Sequence, residues 1–156
     1  MFGFLKRKVR EVKAPADGNI VALESVNDEV FSKKLVGDGV AIIPVTNIFT
    51  APIDGTISKI FSTNHAYSIK SEKDLEVMVH IGLDTVDLNG AGFERLAKEG
   101  DKVKAGDAII RVDLDALREH AKDIITPIII SDESDVKEIE KNLNIVKSGD
   151  VIMEVS

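Results

Sequence analysis

The stretch Ala51-Pro52-Ile53-Asp54-Gly55-Thr56-Ile57 matches a stretch nearer the start of the chain, Ala14-Pro15-Ala16-Asp17-Gly18-Asn19-Ile20, at all but two positions. Each copy places a Pro-x-Asp-Gly turn directly before a segment that favours a β-strand. A second pair of similar stretches, residues 103–109 and 146–152, has a Gly-Asp turn between two apolar segments. These paired duplications indicate two related β halves packed as a sandwich, and their wide separation argues against a solenoid.

Short apolar runs rich in Val and Ile dominate the rest of the chain, and turn residues separate many of them. The predicted strands include residues 40–44, 56–61, 75–81, 108–112, 128–130 and 151–155. Apolar residues at helical spacing predict three short helices, at residues 92–99, 113–122 and 135–142. The pattern therefore predicts an all-β protein, an antiparallel β-sandwich or barrel with internal duplication and a few short helices. We expect one domain over residues 12–156.

The composition excludes several classes of function. The chain of 156 residues is long enough for a sizeable core, and it contains no cysteine, which excludes disulfides, Cys-ligated zinc and thiol catalysis. A formal net charge of −7 argues against a nucleic-acid partner, which requires clustered Lys and Arg. The same charge suits a basic protein partner. No apolar run approaches the roughly 18 residues of a membrane span.

Residues 1–11 are predicted to form a flexible N-terminal segment. Within it the apolar residues Phe2, Phe4 and Leu5 precede a basic stretch that begins at Lys6, which reverses the order found in a signal peptide. Two interpretations fit this segment. One is a frayed terminus, and the other is a short amphipathic anchor that makes weak peripheral contact with a membrane through residues 1–10.

His80 ends the predicted strand at residues 75–81. Alternate side chains of that strand are all apolar, and we expect this face to be buried: Leu75, Val77, Val79 and Ile81. His80 lies on the other face, and Gly82 is expected to turn the chain away and to leave space beside the imidazole. Histidine is the side chain best suited to change protonation near neutral pH. An ordinary surface histidine on a strand also explains the local pattern.

His65 and His120 are the other two histidines. If the segment around His65 is extended, Phe61, Thr63 and His65 share a face, and Thr63 can hydrogen-bond an imidazole or a phosphoryl oxygen. A loop histidine is the alternative interpretation. His120 lies at the polar end of a predicted helix, where a solvated side chain is expected.

Two enzyme-like arrangements compete with these interpretations. His80 and Asp84 have an H-x3-D spacing, and His65 could supply a third zinc ligand, but zinc peptidases of similar β-rich fold also need an H-x-H pair, which is missing. The Gly-Asp turns are similar to those of biotinyl and lipoyl carrier domains. Those domains carry a cofactor on a lysine at a hairpin tip. The nearest candidate here is Lys73, and its neighbours Glu72 and Asp74 differ from those of the modified lysine in carrier domains. We therefore expect no metal and no cofactor.

Five motifs, in this order and at this spacing, are specific for one family. Three are residues 14–18, 36–42 and 51–57, and the decisive two are Thr63-Asn64-His65-Ala66-Tyr67-Ser68-Ile69 and Val79-His80-Ile81-Gly82-Leu83-Asp84-Thr85-Val86. On these motifs the chain resembles the glucose-family enzyme IIA of the bacterial phosphotransferase system from residue 12 to residue 155. The resemblance implies an antiparallel β-sandwich. It implies that His80 is the phosphoryl acceptor, that His65 lies beside it and assists transfer, and that Thr63 belongs to their hydrogen-bond network.

The resemblance also implies a partner-binding surface, an apolar patch ringed by acids. The patch positions are Phe31, Leu35, Val36, Phe61 and Met78, the acidic positions are Asp28, Asp84 and Asp87, and Val86 belongs to the segment after the acceptor. We expect Phe31 and Phe61 to be exposed because they form this patch. The family often has Phe in place of Met78 and an apolar residue in place of Glu29, so both differences bear on partner affinity.

The partners implied by the resemblance are two proteins. The histidine phosphocarrier protein is the expected phosphate donor, and the IIB domain of a sugar permease, with its reactive cysteine, is the expected acceptor. The chain is then a cytoplasmic phosphotransferase component for sugar uptake, without cofactor and expected to be a monomer. A regulatory binding protein that never transfers phosphate is the alternative from another class, and the presence of both His65 and His80 speaks against it.

Overall fold

The computed structural model describes residues 9–72 and 74–156. Residues 1–8, which hold most of the predicted membrane anchor, and Lys73, the lysine compared with carrier domains, lie outside the described residues. The described strands are β1 (Arg10–Lys13), β2 (Gly18–Ala22), β3 (Gly37–Pro44), β4 (Ile48–Thr50), β5 (Gly55–Ile60), β6 (Ala66–Lys70), β7 (Glu76–His80), β8 (Phe93–Arg95), β9 (Lys102–Val103), β10 (Ala108–Val112), β11 (Thr126–Ser131), β12 (Ile139–Lys141), β13 (Ile145–Val146) and β14 (Val151–Val155). Two α-helices, α1 (Glu29–Ser32) and α2 (Leu114–His120), and short 3-10 turns at Leu23–Ser25 and Thr85–Leu88 complete the described elements.

The strands form one large sheet and two small ones, with every pairing antiparallel. The large sheet has the order β13-β2-β3-β11-β7-β6-β5-β9, and the small sheets have the orders β1-β14-β12 and β4-β10-β8. The inner face of the large sheet and the two small sheets share one buried apolar core. Because the large sheet ends at β13 and β9 without closing, the fold is an open sandwich and not a barrel.

The repeated sequence stretches occupy equivalent places in the fold. Asp17 Oδ1 accepts a hydrogen bond from the backbone N–H of Ser148 at 2.7 Å, and Asp54 Oδ1 accepts one from the N–H of Ala105 at 2.8 Å. Each Pro-x-Asp-Gly turn is thus tied to one Gly-Asp turn. The half-sheet β13-β2-β3-β11 likewise corresponds to β9-β5-β6-β7 about the central β11–β7 pair. The predicted internal duplication is confirmed.

The alternation predicted for residues 75–81 is also confirmed. Leu75, Val77, Val79 and Ile81 are buried in the shared core. The opposite face of β7 points away from the small sheets, and part of that outer face is covered by α1. Phe31 of α1 and Met78 of β7 belong to a second apolar cluster there. This outer cluster fixes α1 beside the end of β7, where His80 lies.

Two of the three predicted helices are wrong. Residues 92–99 contain β8, which pairs with β10, and residues 135–142 contain β12, which pairs with β14. In both segments the gain from strand pairing and core contact outweighs weak helical spacing. The helix predicted at residues 113–122 is confirmed as α2, and Asp113 caps it by accepting a bond from Ala116 N at 3.1 Å. No helix in residues 9–72 and 74–156 is long and apolar enough to cross a membrane.

Candidate functional site

Strand pairing brings two histidines together on the outer face of the large sheet. His80 is the last residue of β7 and pairs with Ala66, the first residue of β6. The next backbone bond joins the N–H of Ile81 to the carbonyl of His65 at 2.7 Å. The imidazoles of His65 and His80 therefore meet, with ring centroids 5.0 Å apart and planes at 78°.

One ring nitrogen of His80 is held by the backbone. Its Nδ1 lies 2.8 Å from the carbonyl oxygen of Gly82. Because a carbonyl can only accept, Nδ1 carries the proton in the neutral ring, and Nε2 keeps its lone pair. The arrangement leaves one defined nitrogen of His80 ready to act as a nucleophile.

Gly82, which follows β7, is closely packed against residues other than His80. It adopts a left-handed conformation with φ +74°, and a Cβ there would lie 2.7 Å from Thr85 Cγ2 and 2.8 Å from the carbonyl oxygen of Asp123. Both the backbone conformation and the close packing require glycine at this position. This conformation of Gly82 directs its carbonyl oxygen to Nδ1 of His80.

His65 is held by a turn rather than by an extended segment. Asn64 has a left-handed conformation with φ 61°, so of the two interpretations of His65 the structure agrees with the loop histidine and not with an extended segment. The turn nevertheless places Thr63 Oγ1 2.5 Å from His65 Nδ1, which agrees with the hydrogen bond that the sequence suggested. The side chain of His65 is buried, with 4% of the residue exposed.

Both imidazoles are held neutral. Burial, followed by the neighbouring charge of His80, lowers the pKa of His65 from its ordinary 6.5 to about 4. Burial also lowers the pKa of His80, although the Gly82 carbonyl and the charge of Asp28 act in the opposite direction. Near neutral pH the site therefore offers an unprotonated nitrogen at His80 beside a neutral donor and acceptor at His65.

Two aromatic rings enclose the histidines. Phe31 lies 5.0 Å from His80 and Phe61 lies 5.3 Å from His65, measured between ring centroids. The expected exposure of Phe31 is wrong, since only 6% of it is exposed. Its ring fills the outer cluster between α1 and the large sheet. Phe61 is half-buried, and Lys59 Nζ lies 4.7 Å from the centre of its ring.

The remaining positions of the predicted patch differ in how far they are exposed. Leu35, Val36 and Val86 are exposed to 63%, 40% and 50%, and Met78 is half-buried. Asp28 caps α1 by accepting from Val30 N at 2.9 Å, while Asp84 and Asp87 lie at the exposed 3-10 turn. Val30 was missed by the sequence analysis. It is 44% exposed on α1, and the capping pattern at Asp28 was the signal that could have found it.

Other candidate positions lie apart from the histidine pair. Among the described residues, no group of three or more His, Asp or Glu is placed to hold a metal ion. His120 is exposed on α2, as expected, and lies 3.8 Å from the carboxylate of Glu119. A groove of about 1000 Å³ lies beside β1, β5 and β9, and none of its lining residues belongs to the predicted site.

Three comparisons relate the chain to known proteins. The family model described as phosphoenolpyruvate-dependent sugar phosphotransferase system, EIIA 1, matches residues 10–136. The chain is 47% identical over 150 residues to the PTS system glucose-specific EIIA component of Buchnera aphidicola subsp. Acyrthosiphon pisum, covering 96% of this chain and 93% of that protein. It is 44% identical over 146 residues to the PTS system N-acetylglucosamine-specific EIICBA component of Klebsiella pneumoniae, covering 94% of this chain and 22% of that protein. The solved structure of glucose permease IIA from Mycoplasma capricolum matches it with a TM-score of 0.92 and 39% identity over 99% of both chains.

Proposed function

This chain belongs to the EIIA 1 family of the phosphoenolpyruvate-dependent sugar phosphotransferase system, as one of its phosphoryl-carrying components, and we propose that it carries the phosphoryl group on Nε2 of His80. The observation that carries this proposal is the hydrogen bond of His80 Nδ1 to the Gly82 carbonyl. It leaves the lone pair on Nε2, and the neutral ring is nucleophilic near neutral pH.

The proposed transfer is a direct displacement at phosphorus. The Nε2 lone pair of His80 forms a P–N bond as the bond from phosphorus to the donor's imidazole nitrogen breaks, and that nitrogen keeps the bonding electron pair. In the second transfer a cysteine thiolate of the acceptor forms an S–P bond, and the pair of the broken P–N bond returns to Nε2. The transition state is loose and in line, so the protein mainly positions groups and stabilises charge.

His65 is proposed to stabilise the phosphoryl oxygens. When Thr63 donates its hydroxyl proton to Nδ1, the proton of the neutral His65 ring lies on Nε2. That N–H can donate to a phosphoryl oxygen on the neighbouring His80. Because the imidazole is largely buried and held before the reaction, the hydrogen bond costs little reorganisation.

The surface around the histidines suits two successive protein partners. Exposed apolar side chains belong to α1, whose Phe31 ring lies 5.0 Å from the His80 ring, and to the 3-10 turn that follows β7. The charges of Asp28 and Asp84 act on His80, and Asp87 belongs to the same 3-10 turn. We propose that the patch docks the histidine phosphocarrier protein as donor and a sugar-specific IIB domain as acceptor, with the acids facing basic residues on both. The similarity to the EIICBA component of Klebsiella pneumoniae supports a permease partner.

Incubation with phosphoenolpyruvate, enzyme I and the histidine phosphocarrier protein tests the proposal. We expect one phosphate per chain, only when all three are present, and peptide mapping should locate it at His80. A chain that binds the phosphocarrier protein but takes up no phosphate would instead identify a regulatory binding protein.

A further inference from the structure

The turn that carries Thr63 accepts hydrogen bonds from a side chain of the opposite sheet. Arg95 belongs to β8, in a small sheet, and its guanidinium reaches the turn between β5 and β6. Arg95 Nε donates to Asn64 Oδ1 at 2.6 Å, and Nη2 donates to the carbonyls of Ile60 at 3.4 Å and Phe61 at 3.3 Å. A single planar group thus holds three acceptors, spread over residues 60–64.

Glu99, four residues after Arg95, adds a further hydrogen bond to the end of β5. Its Oε2 accepts a hydrogen bond from the N–H of Ile60 at 2.8 Å. The N–H and the carbonyl of Ile60 are therefore bound by two side chains from residues 95–99. Pairing of β5 with β6 is irregular between Ile57 and Lys59, so the strand needs such support where it leads into the turn.

The residues that Arg95 and Glu99 bind directly precede His65 in the chain. Asn64, which accepts from Arg95, has the left-handed conformation and immediately precedes His65. Within the turn, the N–H of Asn64 binds the carbonyl of Phe61 at 2.7 Å, and Thr63 holds the His65 ring. A shift of the turn would move both Thr63 and His65 relative to His80, and reacting groups lose rate steeply when displaced by about 1 Å.

We propose that Arg95, assisted by Glu99, is a positioning residue that holds the turn at residues 61–64 and so fixes the imidazole of His65 against that of His80. The effect of this positioning on phosphoryl transfer rests on the function proposed above. Lysine cannot replace it, because an ammonium group is a point charge without the planar fork that reaches acceptors on separate residues.

An NMR titration of the imidazoles tests this without any partner protein. In Arg95→Ala the turn loosens and His65 gains water, so the pKa of His65 should rise from about 4 towards 6.5, while the Nδ1 proton of His80 stays in place. Arg95→Lys should behave like Arg95→Ala. The matched control is Arg111→Ala, which removes an exposed arginine that pairs with Glu94 at 2.7 Å on the neighbouring strands and should leave both imidazoles unchanged.

Transfer kinetics provide the second readout. We expect Arg95→Ala to lower the turnover for transfer to a IIB domain by about 10-fold, with the KM for the phosphocarrier protein within about 2-fold of the unmutated value. Arg111→Ala should change neither quantity. If the unmutated protein accepts no phosphate, the proposed function fails, and the NMR titration still decides whether Arg95 positions His65.

Asn64→Gly covers the case in which Arg95→Ala does not fold. Glycine adopts the left-handed conformation without strain, and the change removes only the acceptor of the Arg95 Nε–H. It should reproduce the shift in the His65 titration. Titration curves for Arg95→Ala and Asn64→Gly that match those of Arg111→Ala would overturn the proposal.

Discussion

The ring of His65 stands edge-on to the ring of His80, at a centroid distance of 5.0 Å and an interplanar angle of 78°. Two protonated imidazoles at this distance would repel each other, so the pair favours the neutral forms. Neutral rings suit the exchange of a phosphoryl group between nitrogen and sulfur nucleophiles, since the acceptor needs a free lone pair. The Gly82 carbonyl binds the ring of His80, and the Thr63 hydroxyl binds the ring of His65. Each imidazole therefore has a fixed orientation.

The buried imidazole of His65 predicts loss of stability in mild acid. Its pKa is about 4 in the folded protein against an ordinary 6.5, so the unfolded chain binds more protons between these values. The free energy of unfolding is therefore unaffected above about pH 7 and falls as the pH drops through this window. Urea unfolding at about pH 7.5 and about pH 5 measures the change. His65→Gln should flatten the decline, whereas a change of the exposed His120 to Gln should leave it as it is.

Gly82→Ala should damage both stability and phosphorylation. The new Cβ would meet Thr85 and the Asp123 carbonyl while the backbone is left-handed, and moving that backbone moves the carbonyl that holds His80. We expect the left-handed conformation alone to cost about 1–3 kcal/mol of unfolding free energy. Gly106→Ala is the matched control, because φ there is +99° and nothing lies within 4 Å. Equal losses in the two variants would show that the contacts at Gly82 are unimportant.

Exposed valines of the patch should affect docking but not folding. Val30→Asp and Val86→Asp place a charge on the proposed partner surface, and each should weaken binding of the phosphocarrier protein by about 10-fold with little change in Tm. Val45→Asp, an exposed valine just beyond the end of β3, is the control and should bind normally. Calorimetric titration measures the affinity. Unchanged binding in both patch variants would place the interface elsewhere.

Phe31→Ser separates packing from docking. Because the ring is buried in the outer cluster and lies against His80, its loss should cost about 3 kcal/mol or more of unfolding free energy. Thermal melting measures this directly. A variant that melts like the unmutated protein would mean that Phe31 contributes to partner contact only.

The two histidines should respond differently to substitution. His80→Ala should abolish phosphorylation, because the nucleophilic nitrogen is gone. His65→Gln should still accept phosphate, since the amide can replace one hydrogen bond, but its onward transfer to a IIB domain should fall by about 100-fold. Single-turnover assays with radiolabelled phosphate distinguish the two steps. Complete loss of phosphate acceptance in His65→Gln would contradict this division of roles.

Strong local patterns were sufficient for much of the fold. Alternation over residues 75–81 gave the buried face of β7 and placed His80 opposite it, and the duplicated Asp-Gly turns gave the two halves. The strand within residues 92–99 could not be predicted, because it depends on pairing with β10, which lies beyond β9 in the chain. The burial of Phe31 depends in the same way on α1 folding over the large sheet.

The contacts that orient the site were the least predictable part. Thr63 lies two residues from His65, so their hydrogen bond could be expected from spacing. Arg95 lies 31 residues from Asn64 and in a segment wrongly predicted as helical, so its contact depends on how two sheets meet. A single sequence contains no local signal for a contact of this kind.

NMR of the phosphorylated protein tests the central claim most directly. After phosphorylation by phosphoenolpyruvate, enzyme I and the phosphocarrier protein, correlation of the imidazole ring nitrogens with their carbon-bound protons identifies the nitrogen bonded to phosphorus. Because Nδ1 of His80 is bound to the Gly82 carbonyl, we predict one phosphate on Nε2 of His80, labile in acid and stable in base. Phosphate on Nδ1 of His80, on either nitrogen of His65, or in an acid-stable linkage would contradict the account.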